Sequence, residues 1–271
     1  MLTLYHGDCL EVMRDISSNS VDLIICDLPY GCLSNEGRPK ISEEKKKQYG
    51  SGRIQSQPGG CTWDIKIDLE PFWKEVRRIR KSEHSPCIHF CTTKFGHELI
   101  NSNLNEFRYD LVWDKQRGVS FLSANKMPMR SHEMIYVFSK AGAFYNRVDI
   151  SGNFKGWDAK EKPRDAANLS CYQPQGKGKY KWVASGNDGT KRCVLSVIPQ
   201  PNKKGEHPTE KPTDLYRFLI ERYCPPGGTV LDPTFGSGNS VFTAFDMDRN
   251  AIGIEKDETF YKKAVARLEQ I

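Results

Sequence analysis

Thr229-Val230-Leu231-Asp232-Pro233-Thr234-Phe235-Gly236-Ser237-Gly238-Asn239-Ser240 runs from a short apolar segment into a glycine-rich turn, and Ile252-Gly253-Ile254-Glu255 follows after a stretch of helical period. A strand, a glycine turn, a helix and a second strand ending in an acid form the opening βαβ unit of a nucleotide-type binding fold. Glycine in such a turn can serve backbone geometry alone. Asp232 before the turn and Glu255 after it add a ligand reading, because Glu255 is placed to accept hydrogen bonds from two ribose hydroxyls. A pyrophosphate needs a tight cradle of amides at a helix N-terminus, and the third glycine of the dinucleotide fingerprint is missing here. Asp232 would repel a pyrophosphate and favour an ammonium, so the pattern fits S-adenosylmethionine better than NAD.

Outward from this unit, apolar runs predict strands at Leu2–Tyr5, Val21–Cys26, Cys87–Cys91, Asp110–Trp113, Met134–Phe138, Thr229–Leu231 and Ala251–Ile254. Helical periodicity predicts helices at Cys9–Ile16, Leu69–Ile79, Phe95–Leu104, Thr213–Tyr223, Ser240–Asp248 and Asp257–Leu268. Strands that alternate with helices imply an α/β fold, a largely parallel sheet covered on both faces with ligands at the carboxyl ends of its strands. Starting from Thr229 and re-entering at the N-terminus, the strands number seven.

Asp27-Leu28-Pro29-Tyr30 follows the buried-type run Val21–Cys26 directly. An aromatic amine on adenine or cytosine is a poor nucleophile because its lone pair is delocalised into the ring. Two acceptors aimed at its two N–H bonds favour localisation of that pair; the Asp27 carboxylate supplies one and the Leu28 backbone carbonyl the other. Pro29 fixes φ and stiffens the turn. Tyr30 offers a face for an extracted base, a stacking interaction worth about 1–3 kcal/mol, which is the size needed against the few kcal/mol cost of flipping.

Two stretches break the α/β rhythm. Residues 33–68 form a long connection with the charged run Glu43-Glu44-Lys45-Lys46-Lys47, either a solvated face or a loop that closes on phosphates. Residues 142–205 mix Gly with Phe154, Trp157, Tyr172, Tyr180 and Trp182 and with Lys155, Lys177, Lys179, Lys181, Lys191 and Arg192, which suits either contact with bases and phosphates or a solvated irregular insertion. The domain reading is therefore a catalytic half at 1–141, an inserted target-recognition region at 142–205 and a cofactor-binding half at 206–271. The formal charge of +6 permits a polyanionic partner without requiring one.

The chain has no apolar run near the ~18 residues of a membrane span and no signal-like N-terminus. An intracellular, cytoplasmic protein with no membrane partner is expected. Its nine cysteines are an odd number in a chain of 271 residues and are read as reduced thiols. No metal site is expected, although His84, Cys87, His89 and Cys91 crowd together; Cys87, His89 and Cys91 alternate as one face of a strand does. His132 and Glu133 are read mainly as structural residues ahead of a strand.

Together these residues resemble the β class of DNA amino-methyltransferases, in which the catalytic motif precedes the cofactor motif. Asp27-Leu28-Pro29-Tyr30 is similar to its D-P-P-Y motif with Leu for the first Pro, and Phe235-Gly236-Ser237-Gly238 is similar to its cofactor loop. His207-Pro208-Thr209-Glu210-Lys211-Pro212 resembles the family's H-P-T-x-K-P segment beside the methionine moiety. Gly7-Asp8-Cys9, Asp110–Lys115 and Arg130-Ser131-His132-Glu133 are softer matches. The resemblance implies a Rossmann-like, seven-stranded methyltransferase fold in circularly permuted order. It implies Asp27, Leu28, Pro29 and Tyr30 as the transfer site. The cofactor border it implies is Asp8, Cys9, Lys211, Pro212, Asp232, Phe235, Gly236, Ser237, Gly238, Asn239 and Glu255. Cofactor and partner would be S-adenosylmethionine and double-stranded DNA, and a homodimer is compatible with both. The acidic first residue points to adenine N6. Cytosine N4, an RNA adenine or protein amide substrate, and an inactive nucleic-acid-binding regulator are the alternatives.

Overall fold

The computed structural model describes residues 1–31, 65–119, 121, 124–155, 188–202 and 210–270. In chain order its strands are β1 (Leu2–His6), β2 (Leu23–Cys26), β3 (Cys87–Cys91), β4 (Phe107–Val119), β5 (Arg130–Phe138), β6 (Ile150–Ser151), β7 (Lys191–Arg192), β8 (Val197–Pro199), β9 (Thr229–Asp232) and β10 (Asn250–Glu255). The helices are α1 (Cys9–Val12, followed by a 3-10 turn), α2 (Leu69–Ile79), α3 (Thr93–Ser102), α4 (Thr213–Tyr223), α5 (Asn239–Asp246) and α6 (Glu258–Leu268).

Eight strands form one sheet in the order β1-β10-β9-β2-β3-β5-β4-β8. From β1 to β3 every pairing is parallel; β5 runs antiparallel to both β3 and β4. The N-terminal strand β1 lies against the C-terminal strand β10, and the Met1 ammonium donates to Asn250 Oδ1 at 3.1 Å. The first segment of the chain thus extends the βαβ unit made by the last, which is the permuted arrangement. All seven expected strands are present. An eighth, β8, joins the sheet edge parallel to β4, with Trp113 opposite Ile198.

Alternation along the strands explains why both faces are covered. Leu23 and Ile25 of β2, with Ile135 and Val137 of β5, point into a core built with α4 and α5 through Leu215, Leu219, Val241 and Phe242. Ile24 and Cys26, with Tyr136 and Phe138, point the other way, onto α1, α2 and α3 through Met13, Phe72, Trp73, Val76 and Leu99. A strand buried on both faces reads as a continuous apolar run, which is what Leu23–Cys26 shows. Helix α2 starts where Asp68 accepts from the Glu70 N–H, and it buries Phe72, Trp73, Val76 and Ile79 on one stripe.

The hairpin β4–β5 is longer than its apolar core predicts. Its outer arms, Asp114 to Val119 and Arg130 to Glu133, are mostly polar and pair with each other beyond the carboxyl edge of the parallel strands, with a register shift after Asp114. Among the clustered cysteines, Cys87 Sγ lies 4.0 Å from Cys26 Sγ and 3.2 Å from His89 Nε2, all three fully buried. His89 packs edge-on against Phe72, Trp73 and Phe138. His84 turns outward to the Gly142 carbonyl.

Residues Arg147–Leu195 form a separate unit. Within it β6 and β7 pair antiparallel, and the Arg192 guanidinium lies 4.4 Å from the Phe154 ring. Trp157, Tyr172, Lys177, Lys179, Tyr180, Lys181 and Trp182, the charged run 43–47 and His207-Pro208-Thr209 lie outside the described residues.

Candidate active site

Strands β2 and β9 are neighbours, with Leu23 opposite Val230 and Ile24 opposite Leu231. Their carboxyl ends therefore deliver Asp27 and Pro233 side by side, and Thr234 Oγ1 donates to the Asp27 carbonyl at 3.3 Å. Both turns open on one cavity of about 470 Å³. Its wall includes Asp8, Cys9, Asp27, Leu28, Pro29, Tyr30, Lys211, Phe235, Gly236, Ser237 and Glu255.

Four residues expected at the cofactor border do not line this cavity. Asp232 is buried behind the wall, where its carboxylate accepts from the Thr234 N–H at 2.9 Å and from the Ser240 hydroxyl. Burial raises its carboxyl to about 7, and the nearby charges of Asp27 and Glu255 add to the rise against those hydrogen bonds. Gly238 caps α5 at φ +83°, where a Cβ would meet the Phe242 ring at 2.8 Å. Asn239 ties Glu210 Oε1 at 2.6 Å to the Lys211 carbonyl at 3.1 Å, and Pro212 precedes the first turn of α4.

The glycine turn holds its acid from behind. Gly236, at φ +55°, donates its N–H to Glu255 Oε2 at 2.8 Å, while the Asp257 N–H donates to Oε1 at 2.7 Å. Each oxygen keeps a further lone pair for a ligand hydroxyl. Gly253 gives Phe235 room, since a Cβ there would sit 2.6 Å from the Phe235 ring. On the neighbouring wall Asp8 caps α1 through the Leu10 N–H at 2.9 Å and pairs with Lys256 at 3.0 Å. Burial, with Asp8 adding, pushes the Cys9 thiol up to about 12, so it is a neutral wall residue and not a nucleophile.

In the transfer turn, Asp27 Oδ1 accepts from the Tyr30 hydroxyl at 2.7 Å and Oδ2 from the Lys211 ammonium at 2.6 Å. Burial and the adjacent Asp27 carboxylate hold the Tyr30 phenol far above its ordinary value, so it stays a neutral donor. Its ring leans on Phe95, centroids 5.2 Å apart. Lys211, expected beside the methionine moiety, also faces Glu133 Oε2 at 3.5 Å, and Glu133 Oε1 accepts from Lys115 at 2.7 Å.

Sequence reasoning missed several wall residues. Glu133 was read as structural, yet it sits in β5 and faces the cavity; Tyr216, Asp257 and Phe260 also line it. The softly matching Arg130-Ser131-His132-Glu133 was the available signal for the first. Asp257 and Phe260 follow the acid at the end of β10 by a few residues.

Among the described residues, the wall carries seven carboxylates, from Asp8, Asp27, Asp68, Glu133, Glu210, Glu255 and Asp257, against three ammoniums, from Lys66, Lys211 and Lys256. Such a surface repels a pyrophosphate and attracts a ligand bearing a sulfonium and an ammonium. The donor set therefore fits S-adenosylmethionine.

A family model described as DNA methylase, of the N6/N4 type, matches residues 21–266. The chain belongs to the DNA methylase family. It is similar to the Type II methyltransferase M.XycI of Xanthomonas campestris pv. cyanopsidis, with 30% identity over 98% of this chain and 87% of that protein. It is also similar to the Type II methyltransferase M.HinfI of Haemophilus influenzae, with 26% identity over 99% of this chain and 68% of that protein. Among solved structures, the PvuII DNA methyltransferase, described as cytosine-N4-specific, superposes with a TM-score of 0.60 at 14% identity, covering 98% of this chain and 86% of that one. At that identity the likeness shows the shared fold. The methylase uses S-adenosylmethionine and acts on DNA, as a member of the N6-adenine and N4-cytosine family. No helix among the described residues is long and apolar enough to cross a membrane.

Replacing Glu255 by Ala in this methylase removes a charged acceptor, and such hydrogen bonds contribute about 1.5–3 kcal/mol. Calorimetric titration should show S-adenosylmethionine affinity reduced about tenfold or more. Unchanged cofactor affinity would remove Glu255 from the binding site.

Proposed function

We propose that the methylase transfers a methyl group to the exocyclic N6 amine of adenine in a short duplex DNA sequence, after flipping the base out of the helix. The observation that carries this reading is the placement of the Asp27 carboxylate, the Leu28 turn and the Tyr30 ring in the same cavity as Glu255 and the glycine turn. The bound cofactor supplies an electrophilic methyl on a sulfonium. Asp27 accepts one N–H of the amine and the Leu28 carbonyl the other, which localises the nitrogen lone pair toward the incoming methyl. Tyr30 and the buried apolar wall hold the ring in place of its lost stacking partners. Asp8, Cys9, Lys211, Phe235, Gly236, Ser237 and Glu255 border the cofactor, while Asp232, Gly238, Asn239 and Pro212 hold that border from behind. The 142–205 stretch, rich in basic and aromatic residues, is assigned the reading of the target sequence.

The carboxylate at position 27 favours adenine, as an acidic first residue of this motif does in the family the sequence resembles. The same pair of acceptors would serve the N4 amine of cytosine, which is the second reading. Incubating the purified protein with S-adenosylmethionine and unmodified genomic DNA, then digesting to nucleosides for mass spectrometry, separates the two. N6-methyldeoxyadenosine is expected. Only N4-methyldeoxycytidine would overturn the base assignment, and no methylated nucleoside from DNA of any sequence would overturn the reading.

A further inference from the structure

We propose that Lys211 is a positioning residue that moves between two carboxylates, Asp27 and Glu133, and so sets how much of Asp27 is available to the incoming amine. The inference rests on the methyl-transfer reading above and adds a regulator to its acceptor. Lys211 is buried, and its ammonium lies 2.6 Å from Asp27 Oδ2. The other Asp27 oxygen is taken by the Tyr30 hydroxyl. Both oxygens of the carboxylate that should receive one N–H of the substrate amine thus already hold strong donors, and a neighbouring ammonium weakens what acceptor capacity remains.

A second seat for the ammonium is already built. Glu133 Oε2 is a buried oxygen with no hydrogen-bond partner, and it faces Lys211 Nζ at 3.5 Å. Its sister oxygen is fixed by Lys115, whose own ammonium rests 4.8 Å from the Trp113 ring. A buried acceptor left unmade is costly, so the second seat is attractive and lies within a side-chain rotation of the first. Burial alone would raise the Glu133 carboxyl, but Lys211 and Lys115 hold it below its ordinary value. Burial would lower Lys211, yet Asp27 and Glu133 hold it above. Both groups keep their charges, and what moves is a cation between two fixed anions.

Two events would drive the move. A sulfonium entering the cavity is a second positive charge and repels the ammonium beside Asp27. An amine entering the turn offers N–H donors that replace the lysine on the same oxygen. Glu133 acts through Lys211, and Lys115 acts through Glu133.

Two variants and one structure test this. In Glu133→Gln the second seat loses its charge and Lys211 stays on Asp27. The expected result is a tenfold or greater fall in kcat, with KM for DNA and affinity for S-adenosylmethionine within about twofold of the parent, and partial recovery in Glu133→Asp. In Lys115→Met, Glu133 keeps its charge and draws Lys211 more strongly, so kcat should rise twofold or more. A merely structural ion network predicts that kcat falls in both variants, and that result overturns the proposal, as does a parental kcat in Glu133→Gln. If Glu133→Gln does not fold, Lys115→Met alone decides by the direction of its effect. The independent readout is a crystal structure of the parent with bound S-adenosylmethionine, which should place Lys211 Nζ within about 3.2 Å of Glu133 Oε2 and further from Asp27. An ammonium still seated on Asp27 beside the sulfonium overturns the proposal even if the enzyme methylates DNA. Parent protein that transfers no methyl to DNA would instead sink the functional reading, leaving that structure to judge the lysine.

Discussion

Asp27→Ala is expected to lower kcat for methyl transfer to DNA by about 10²–10³-fold or more, the scale seen when one preorganised electrostatic contact to a transition state is removed. The fold should survive the change. Lys211 loses its 2.6 Å partner but keeps Glu133 at 3.5 Å, so no buried ammonium is left without a counter-charge. Tyr30 loses one hydrogen bond of its part-buried hydroxyl, a cost of about 1–3 kcal/mol that a domain of this size tolerates. Affinity for S-adenosylmethionine and for DNA should therefore stay close to that of the parent, measured by calorimetry and by gel shift. Retained methyl transfer would show that the amine is held elsewhere. It would also leave the inactive-regulator alternative irrelevant, since the scaffold would be active by another route.

Glu106→Ala should be the most damaging single change to stability, costing about 3–5 kcal/mol. Arg80 is buried and grips Glu106 with two hydrogen bonds, 3.0 and 2.7 Å, while Asn103 and Arg77 reach the same carboxylate at 3.2 Å. Truncation strands the Arg80 guanidinium in the core between α2, α3 and β4. Burial alone would raise the Glu106 carboxyl, but Arg80 and Asn103 hold it below its ordinary value of 4.5. A depressed carboxyl contributes stability that is complete above the unfolded value and lost as pH falls through the folded one. Urea denaturation should thus show the gap between parent and variant at pH 7 narrowing below about pH 4.5. A variant within 1 kcal/mol of the parent would mean that the cluster is solvated.

The seven expected strands and the six helices were legible because their residues obey one periodicity each. Leu23–Cys26 is apolar throughout since helices cover both of its faces, and α2 shows its stripe at Phe72, Trp73, Val76 and Ile79. Two features escaped for a physical reason. The outer arms of β4 and β5 run past the parallel strands and meet only each other and, at Asp114 and Lys115, the segment of β8, so they carry polar residues with no period to read. Strand β8 is three residues long and sits inside a stretch whose composition looks irregular.

At the site, Asp27, Tyr30, Gly236 and Glu255 were legible because their chemistry is local to a turn. The roles of Lys211, Glu133 and Asp232 were not, since each depends on partners distant in sequence. Lys211 meets Asp27 across 184 positions, and nothing along the chain announces that its ammonium faces a second carboxylate in a hairpin. Asp232 looks like a ligand group in sequence because it precedes the glycine turn. In the fold its carboxylate is spent on Thr234 and Ser240.

The central claim is that one cleft holds a methyl donor with its reactive carbon turned toward Asp27 and Tyr30. Crystals of the protein soaked with S-adenosylmethionine test it most directly. Density is expected in the cavity of about 470 Å³, with the ribose hydroxyls on Glu255 and the sulfonium methyl directed at the Asp27–Tyr30 turn. Cofactor bound outside that cavity, or bound within it with the methyl pointing away from Asp27, would contradict it.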